Sequence, residues 1–467
     1  MQSRWVLYTI SVTSSRSSSI DLATINILPD DALLGIFHFY KELPKFPLPH
    51  QWWKTLIDVC QRWRNIIFAS PHLDLKIVCN ERTPVRTLLD IWPPVSIIID
   101  CITRELDKEG QDNIIAALER HDRVIRINIL GQECLVLETL ATSMERPFPV
   151  LTDLYLSSSA EIEPVLHKEI LGGSAPCLQT FRLWGIAFPG FLRLASIAPH
   201  LSHLELWDIP ITGYISPEAM ATCLASLPSI KYLHIGFQSP LSRPDRINLS
   251  PPTHAVLPAL IQFDLKGVSE YLEDLVARID TPKLFQLYIH LFMDLMFQIP
   301  RLNKFITRAE IIRPYISANV TFSATHIQIS LGCIELQISC REPDWQASSM
   351  AQLCRQLSPL TSHLESLEIG EDTPGQARQG NGIDPTQWFE LFDLFPAVQD
   401  LYIHDQLRPL VARALQELTG ERATEVLPTL RSLFFRGLTP PGSTREDIRK
   451  FIAARQHSDH PVEVHWD

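Results

Sequence analysis

The sequence predicts an α/β chain. A small N-terminal α-helical module is followed by an irregular solenoid of strand-and-helix repeats, with a parallel sheet on its concave side and helices on its convex side. Three observations predict this. Two apolar patterns of helical spacing lie next to each other before residue 70, and one phrase built on proline and leucine returns from residue 149 onward. The 467 residues also exceed what one compact core usually supports. The expected organisation is a disordered leader over residues 1–22, a helical module over 23–79 and a solenoid with a C-terminal cap over 80–467.

The first helical pattern opens at Leu28, Pro29, Asp30 and Asp31. Proline suits a first helical turn, because the N–H it lacks would be unpaired there, and the two carboxylates complement the helix dipole. Leu33, Ile36, Phe37 and Tyr40 follow on one face. Pro44, Pro47 and Pro49 end that helix in a loop. The second pattern, Trp53, Leu56, Val59, Cys60, Trp63 and Ile67, predicts one helix that stops near Ser70-Pro71. A hairpin this small buries little surface, so Leu28, Pro29, Leu33, Ile36 and Phe37 are expected to stay partly exposed and to mark an interface.

Read together, Leu28-Pro29-Asp30-Asp31, Ile36-Phe37 and the run Trp53, Leu56, Val59, Cys60, Trp63, Arg64 resemble the F-box motif over residues 26–79. The spelling from Trp53 to Pro71 is similar to that of F-box proteins of mushroom-forming fungi. Two departures stand out: the loop from Lys41 to Gln51 is long and proline-rich, and Pro71-His72-Leu73 is not followed by the usual tryptophan. The resemblance implies an adaptor-binding surface made of Leu28, Pro29, Asp30, Leu33, Ile36, Phe37, Trp53, Leu56, Val59, Cys60 and Trp63. It also implies the partners, a Skp-type adaptor and the cullin of a ubiquitin ligase.

The repeated phrase is Pro-x-h-x-x-h-x-h, with h apolar. Copies start at Pro149, Pro176, Pro199, Pro228, Pro258, Pro282, Pro396 and Pro428; the first six lie 23 to 30 residues apart. In the first copy the apolar positions are Leu151, Leu154 and Leu156; in the fifth they are Leu260, Phe263 and Leu265. That period and core spell a leucine-rich-repeat-like solenoid, in which each unit adds a strand and buries its apolar side only by stacking. The proline is expected to start the turn into each strand. Weaker copies are expected at Leu302 and Phe305, at His326 to Ile329, and at Leu364, Leu367 and Ile369, with an earlier one at Val124, Ile127 and Ile129. The asparagine or cysteine that normally follows the strand is mostly missing, so the backbone there must be satisfied in another way. Ile448 to Trp466 reads as a closing helix and strand. Phrases around Trp388 and Glu425 are also similar to the C-terminal part of fungal F-box proteins.

Residues between two core positions of a strand point to the other face. That rule places Tyr155, Arg182, Trp184, Glu205, Trp207, His234, Asp264, Lys266, Tyr288, His290, Tyr402 and His404 on the concave surface. Aromatic side chains mixed with charges suit recognition of a protein.

The net charge of −12 argues against nucleic acid or an anionic membrane as the main partner. No apolar run reaches the ~20 residues of a membrane span, and Thr9 and Ser11 interrupt the stretch from Trp5 to Val12. The nine scattered cysteines include no Cys-x-x-Cys pair and read as reduced thiols of a cytoplasmic or nuclear protein. P-loop, His-Glu-x-x-His and Gly-x-Ser-x-Gly motifs are absent, and the histidines form no ligand cluster in sequence. The expected function is therefore non-catalytic, with no metal or cofactor. The resemblance makes it a substrate receptor of an SCF-type ligase that recruits a protein substrate; the alternative is a solenoid scaffold whose helical hairpin engages no ligase.

Overall fold

The structure is a computed structural model. It describes residues 27–42, 52–103, 106–159, 163–240, 254–292, 298–309, 316–372, 384–404, 407–418, 422–437 and 444–466. The expected leader at 1–22 and most of the proline-rich loop lie outside these residues. Two compact units divide the chain, Met1–Ile77 and Val78–Asp467.

The first unit holds helices α1 (Asp30–Glu42), α2 (Lys54–Ile57) and α3 (Gln61–Ala69). Pro29 precedes the first turn of α1, and its carbonyl accepts from the Leu33 N–H at 3.1 Å. Leu33 and Phe37 point inward, where Phe37 meets Trp63 edge-on with centroids 4.9 Å apart. Trp53 packs edge-on against Phe68 at 5.9 Å and donates its indole N–H to the Lys76 carbonyl. Arg62 ties the start of α1 down, donating to Asp30 Oδ1 and to the Leu28 carbonyl at 2.6 Å each. The single helix expected over Trp53 to Ile67 is in fact two. Cys60 is extended, with φ −164° and ψ 168°, and α3 starts again after it. The break lets the two tryptophans be buried from different directions, Trp53 against Phe68 and Trp63 against Phe37.

The rest of the chain builds strands β1 (Lys76–Cys79), β2 (Ser96–Cys101), β3 (Val124–Gln132), β4 (Asp153–Ser158), β5 (Thr180–Trp184), β6 (His203–Ile209), β7 (Tyr232–Phe237), β8 (Ala255–Val256) and β9 (Gln262–Gly267). They continue as β10 (Ile279–Asp280), β11 (Gln286–Leu291), β12 (Ser317–Phe322), β13 (His326–Leu331), β14 (Ile334–Ser339), β15 (Ser366–Glu371), β16 (Asp400–His404), β17 (Ser432–Arg436) and β18 (Glu463–Trp466). Sixteen form one sheet in the order β1-β2-β3-β4-β5-β6-β7-β9-β11-β14-β13-β12-β15-β16-β17-β18; β8 and β10 pair separately.

All eight copies of the phrase make the same turn. The N–H of the first apolar residue bonds to the carbonyl of the residue before proline: Leu151 to Phe148, Leu178 to Ala175, Leu201 to Ala198, Ile230 to Leu227, Leu260 to Leu257, Leu284 to Thr281, Val398 to Phe395 and Leu430 to Leu427. Proline thus sits at the second position of a β-turn, where its fixed φ is already correct. The next two apolar residues enter the strand side by side in register. Leu154, Phe181, Leu204, Leu233, Phe263 and Leu287 form one continuous buried row. Helices cover that side of the sheet: Leu194 and Ile197 are buried before Pro199, and Trp388, Leu391 and Phe392 before Pro396. The missing asparagines are replaced in part by buried glutamines. Gln346 Nε2 donates to the Ser323 and Cys340 carbonyls at 2.8 and 2.7 Å, and Gln132 Nε2 to the Leu130 carbonyl at 2.8 Å.

Two of the weaker copies are not repeats of this kind. Leu302 and Phe305 lie on a helix, Pro300–Arg308, where their spacing with Ile306 buries one side. His326 to Ile329 belongs to β13, which runs antiparallel to both β12 and β14, whereas every other pairing from β2 to β18 is parallel. The reason is connection length. Three residues join β12 to β13 and two join β13 to β14, too few for the crossover that a parallel neighbour needs. The expected all-parallel sheet is therefore interrupted by a three-strand meander that enters the array in reverse order.

Candidate functional site

One side of the sheet carries the helices; the other is open. On the open side the strand register aligns residues into rows. The central row runs Asp100, Asn128, Tyr155, Arg182, Glu205, His234, Asp264, Tyr288 and Glu335, each paired with the next. Across the meander it continues through Ser330 and Asn319, and then as Glu368, Tyr402, Phe434 and His465. A second row, two residues further along each strand, holds Trp184 and Trp207, then Lys266 and His290, and later His404 and Arg436. All twelve residues assigned to this face by alternation lie on these two rows. Tyr402 and His404 are separated from the other ten by the meander.

Adjacent rungs interact. Arg182 Nε lies 3.3 Å from Glu205, and His234 Nδ1 lies 2.5 Å from Asp264. Trp184, 37 % exposed, leans on Trp207 with centroids 6.1 Å apart. The Trp207 ring lies over Gly236, where any Cβ would stand 2.7 Å from it. Asp208 adopts φ +49° at an irregularity in β6, a conformation Asp tolerates, and accepts from Lys266 Nζ at 2.9 Å. The same ammonium lies 5.8 Å from the Trp207 ring centre. His290 Nε2 is 2.5 Å from Ser339 Oγ. Burial, with Lys266 and His326 adding, lowers the His290 pKa to about 4, so this imidazole is neutral at physiological pH.

The far end is built differently. Glu368 Oε1 lies 2.6 Å from His404 and 3.3 Å from Arg436. Tyr402 stacks on Phe434 at 4.4 Å, Phe434 on His465 at 4.5 Å, and the Arg436 guanidinium covers Tyr402 at 4.5 Å. Beside this stack the nearest outward residues of the meander are the short side chains Ser317, Asn319 and Ser330. The result is a depression of about 360 Å³ with Ser317, Asn319, Ser330, Ser366, Glu368 and Tyr402 among its walls.

Several residues of this face were missed by sequence reasoning. Glu368 and Phe434 follow from the alternation rule applied to Leu367 and Ile369, and to Leu433 and Phe435. Glu335 follows from Ile334, Leu336 and Ile338, whose period of two is legible although the phrase itself is absent.

In the first unit the residues expected at the adaptor surface divide into two sets. Leu33, Phe37, Trp53, Leu56 and Trp63 are buried in the unit's own core. The expectation that Leu33 and Phe37 are partly exposed is therefore corrected: they lie four apart on the inner face of α1, and the three helices suffice to cover them. Pro29, Asp30, Ile36 and Val59 are exposed, Leu28 and Cys60 half-buried. Asp30 is held by Arg62. Phe39, 69 % exposed, extends the outer face next to Ile36 and was not singled out by sequence.

Among the described residues no three His, Cys, Asp or Glu side chains are placed to hold a metal ion. No described helix is long and apolar enough to cross a membrane.

No family model matches the chain, and no curated protein matches it. Among solved structures it is similar to the leucine-rich repeat-containing protein LegL7 from Legionella pneumophila, at 13 % identity and a TM-score of 0.26, over 67 % of this chain and 93 % of that one. The leucine-rich-repeat-like architecture accordingly rests on this chain's own turns, register and buried rows.

Proposed function

We propose that the chain is a non-catalytic substrate receptor of an SCF-type cullin-RING ubiquitin ligase. In this reading the N-terminal unit docks a Skp-type adaptor and the open face of the sheet recruits a protein substrate. One observation carries the adaptor half beside the F-box-like spelling. The helical unit buries Leu33, Phe37, Trp53 and Trp63 yet leaves Ile36 42 %, Phe39 69 % and Val59 55 % exposed. Covering each such side chain contributes about 1.5–3 kcal/mol before ordering costs. The substrate half is supported by the two rows of aromatic and charged side chains on one face, the composition that dominates affinity at protein interfaces.

Purified full-length chain should capture the adaptor, and Ile36→Asp combined with Phe39→Asp should abolish capture without unfolding the protein. No capture by the unaltered chain at high micromolar adaptor would sink the ligase role. Trp184→Ala with Trp207→Ala should separately reduce proximity labelling of a cellular partner; unchanged labelling would remove the open face from the reading.

A second reading, a protein-interaction scaffold outside any ligase, is favoured by the same unit's packing. Leu33 and Phe37 are spent on its core and Asp30 on Arg62, which leaves fewer of the F-box-like positions for an adaptor. Partner labelling that persists without adaptor capture is its signature.

A further inference from the structure

The charges of the open face do not balance. Strands β2 to β18 present four Lys or Arg side chains there, and each already has a carboxylate beside it: Arg126 with Asp153 at 3.7 Å, Arg182 with Glu205 at 3.3 Å, Lys266 with Asp208 at 2.9 Å and Arg436 with Glu368 at 3.3 Å. What remains is negative: Asp100, Asp264, Glu335, Asp400 and Glu463. Asp264 has His234 Nδ1 beside it and accepts from Gln262 Nε2 at 3.2 Å, and neither Asp264 nor Glu335 has a Lys or Arg ion pair among the described residues. A partner rich in carboxylates would meet no unmatched cation on these strands; Lys231, exposed just before β7 and near enough to act on His203, lies at their edge. A basic partner would meet several unmatched carboxylates.

These carboxylates are not spread evenly. Asp264, Tyr288 and Glu335 are consecutive rungs of the central row, so a tyrosine stands between two acidic residues on the neighbouring strands, whose backbones lie about 4.8 Å to either side. Burial raises the Glu335 carboxyl above its ordinary range and Asp264 raises it further, which is the condition of a carboxylate short of positive charge. The Tyr288 phenol is raised by burial and then by Glu335 and Asp264. A planar guanidinium or an ammonium lying over an aromatic ring with carboxylates on either side gains both ion pairing and cation–π attraction. Ser330, the register partner of Glu335, borders the depression over the meander. A side chain that crosses Glu335 therefore has space to descend.

We propose that the open face takes a basic, extended segment of a protein partner, with an arginine or lysine side chain seated over Tyr288 between Asp264 and Glu335. The proposal rests on the reading of this face as the protein-binding surface and names the chemistry of what it binds. Neighbouring residues of the segment would pass over His234 on one side and the depression on the other, while Trp184 offers an exposed ring for an apolar or cationic neighbour.

The test uses the full-length chain and three fluorescent peptides that alternate glycine with arginine, with glutamine or with glutamate. Fluorescence anisotropy at about 50 mM salt should show the arginine peptide bound at least about tenfold more tightly than the glutamine peptide, with an advantage that shrinks as salt rises. Glu335→Gln with Asp264→Asn should weaken it by about fivefold or more. Removing the same charge from exposed helix positions, Glu109→Gln with Glu446→Gln, should change it less than about twofold. Equal losses in both double variants would reduce the attraction to net charge and overturn the site. Failure of the arginine peptide to bind also overturns the proposal. If the glutamine or glutamate peptide binds instead and Trp184→Ala removes it, the basic partner is wrong and the open face still stands as a binding surface.

Discussion

Residues 149–291 and residues 316–339 contribute to the same sheet by opposite rules. In the first stretch each strand of the main sheet is preceded by proline and a buried aliphatic residue, the turn is the same each time, and each of these strands runs parallel to the last. In the second, strands of the same length and alternation lack the proline phrase, are joined by two or three residues, and fold back on each other. Alternation alone makes a strand and decides which side is buried. It does not decide direction. Direction comes from the connection: a helix-containing link returns the chain to the start of the next parallel strand, and a tight link reverses it. The meander also changes the surface, because its open side carries no Trp, Tyr, Lys or Arg but polar side chains from Ser317 and Asn319 to Gln328, Ser330, Glu335 and Gln337.

This contrast can be broken at defined places. The largest effect is expected from Phe263→Ala. Phe263 is fully buried in the aligned row and meets Phe305 edge-on, with centroids 6.4 Å apart, on the helix that leads to the meander. Loss of about 3–5 kcal/mol in urea unfolding is expected. A loss below ~1 kcal/mol would show that the row is not where the array stores its stability. Gly332→Val acts on the meander alone. Gly332 turns β13 into β14 with φ +57°, a region that costs a side chain about 1–2 kcal/mol. Hydrogen exchange should rise across residues 317–339 and stay unchanged in β4 to β7; a uniform rise would mean that the two regions unfold as one.

Smaller effects sharpen the comparison on the open face. Gly236→Ala pushes the Trp207 ring off its seat. Because that ring borders solvent it can swing away, so stability should fall by about 1 kcal/mol or less while partner labelling drops. Retained labelling would mean that the seat is irrelevant to binding. The last effect is one of pH. His290 keeps its proton only below about 4 in the folded chain, against 6.5 for an ordinary imidazole. Between those values the unfolded chain binds the extra proton, so stability is present in full above 6.5 and declines as pH falls toward 4. His203 and His326, also lowered chiefly by burial, act in the same direction. His290→Gln should flatten the decline in denaturation midpoint over that window; an unchanged slope would assign it to other groups.

Much of the candidate face was legible before any coordinates, for a local reason. A strand's two sides alternate, so Leu204 and Leu206 inside require Glu205 outside, and the same holds at Tyr155, His234, Tyr288 and Tyr402. What alternation cannot express is which outside residues are neighbours. Lys266 meets Asp208 from 58 residues away and Arg436 meets Glu368 from 68. Whether a charge on this face is matched or left over depends on those pairings. In the helical unit the difficulty was one of degree. The spacing of Leu33, Ile36, Phe37 and Tyr40 marks an apolar helix, but which part of it three short helices can cover depends on the turn at Cys60.

By itself the sequence determined the elements and their polarity: a proline-led turn, a buried aliphatic pair and an outward residue in each unit, repeated often enough that stacking is the only way to bury them. Local sterics and periodicity suffice for that, since each is written within eight residues. The tertiary structure alone decided that Leu33 and Phe37 are core, that three strands enter the sheet in reverse order with β13 antiparallel, and that Asp264 and Glu335 lie on the open face with no Lys or Arg ion pair among the described residues. Each of these depends on which distant segment becomes a neighbour, and a linear pattern carries no record of that until the backbone hydrogen bonds set the register.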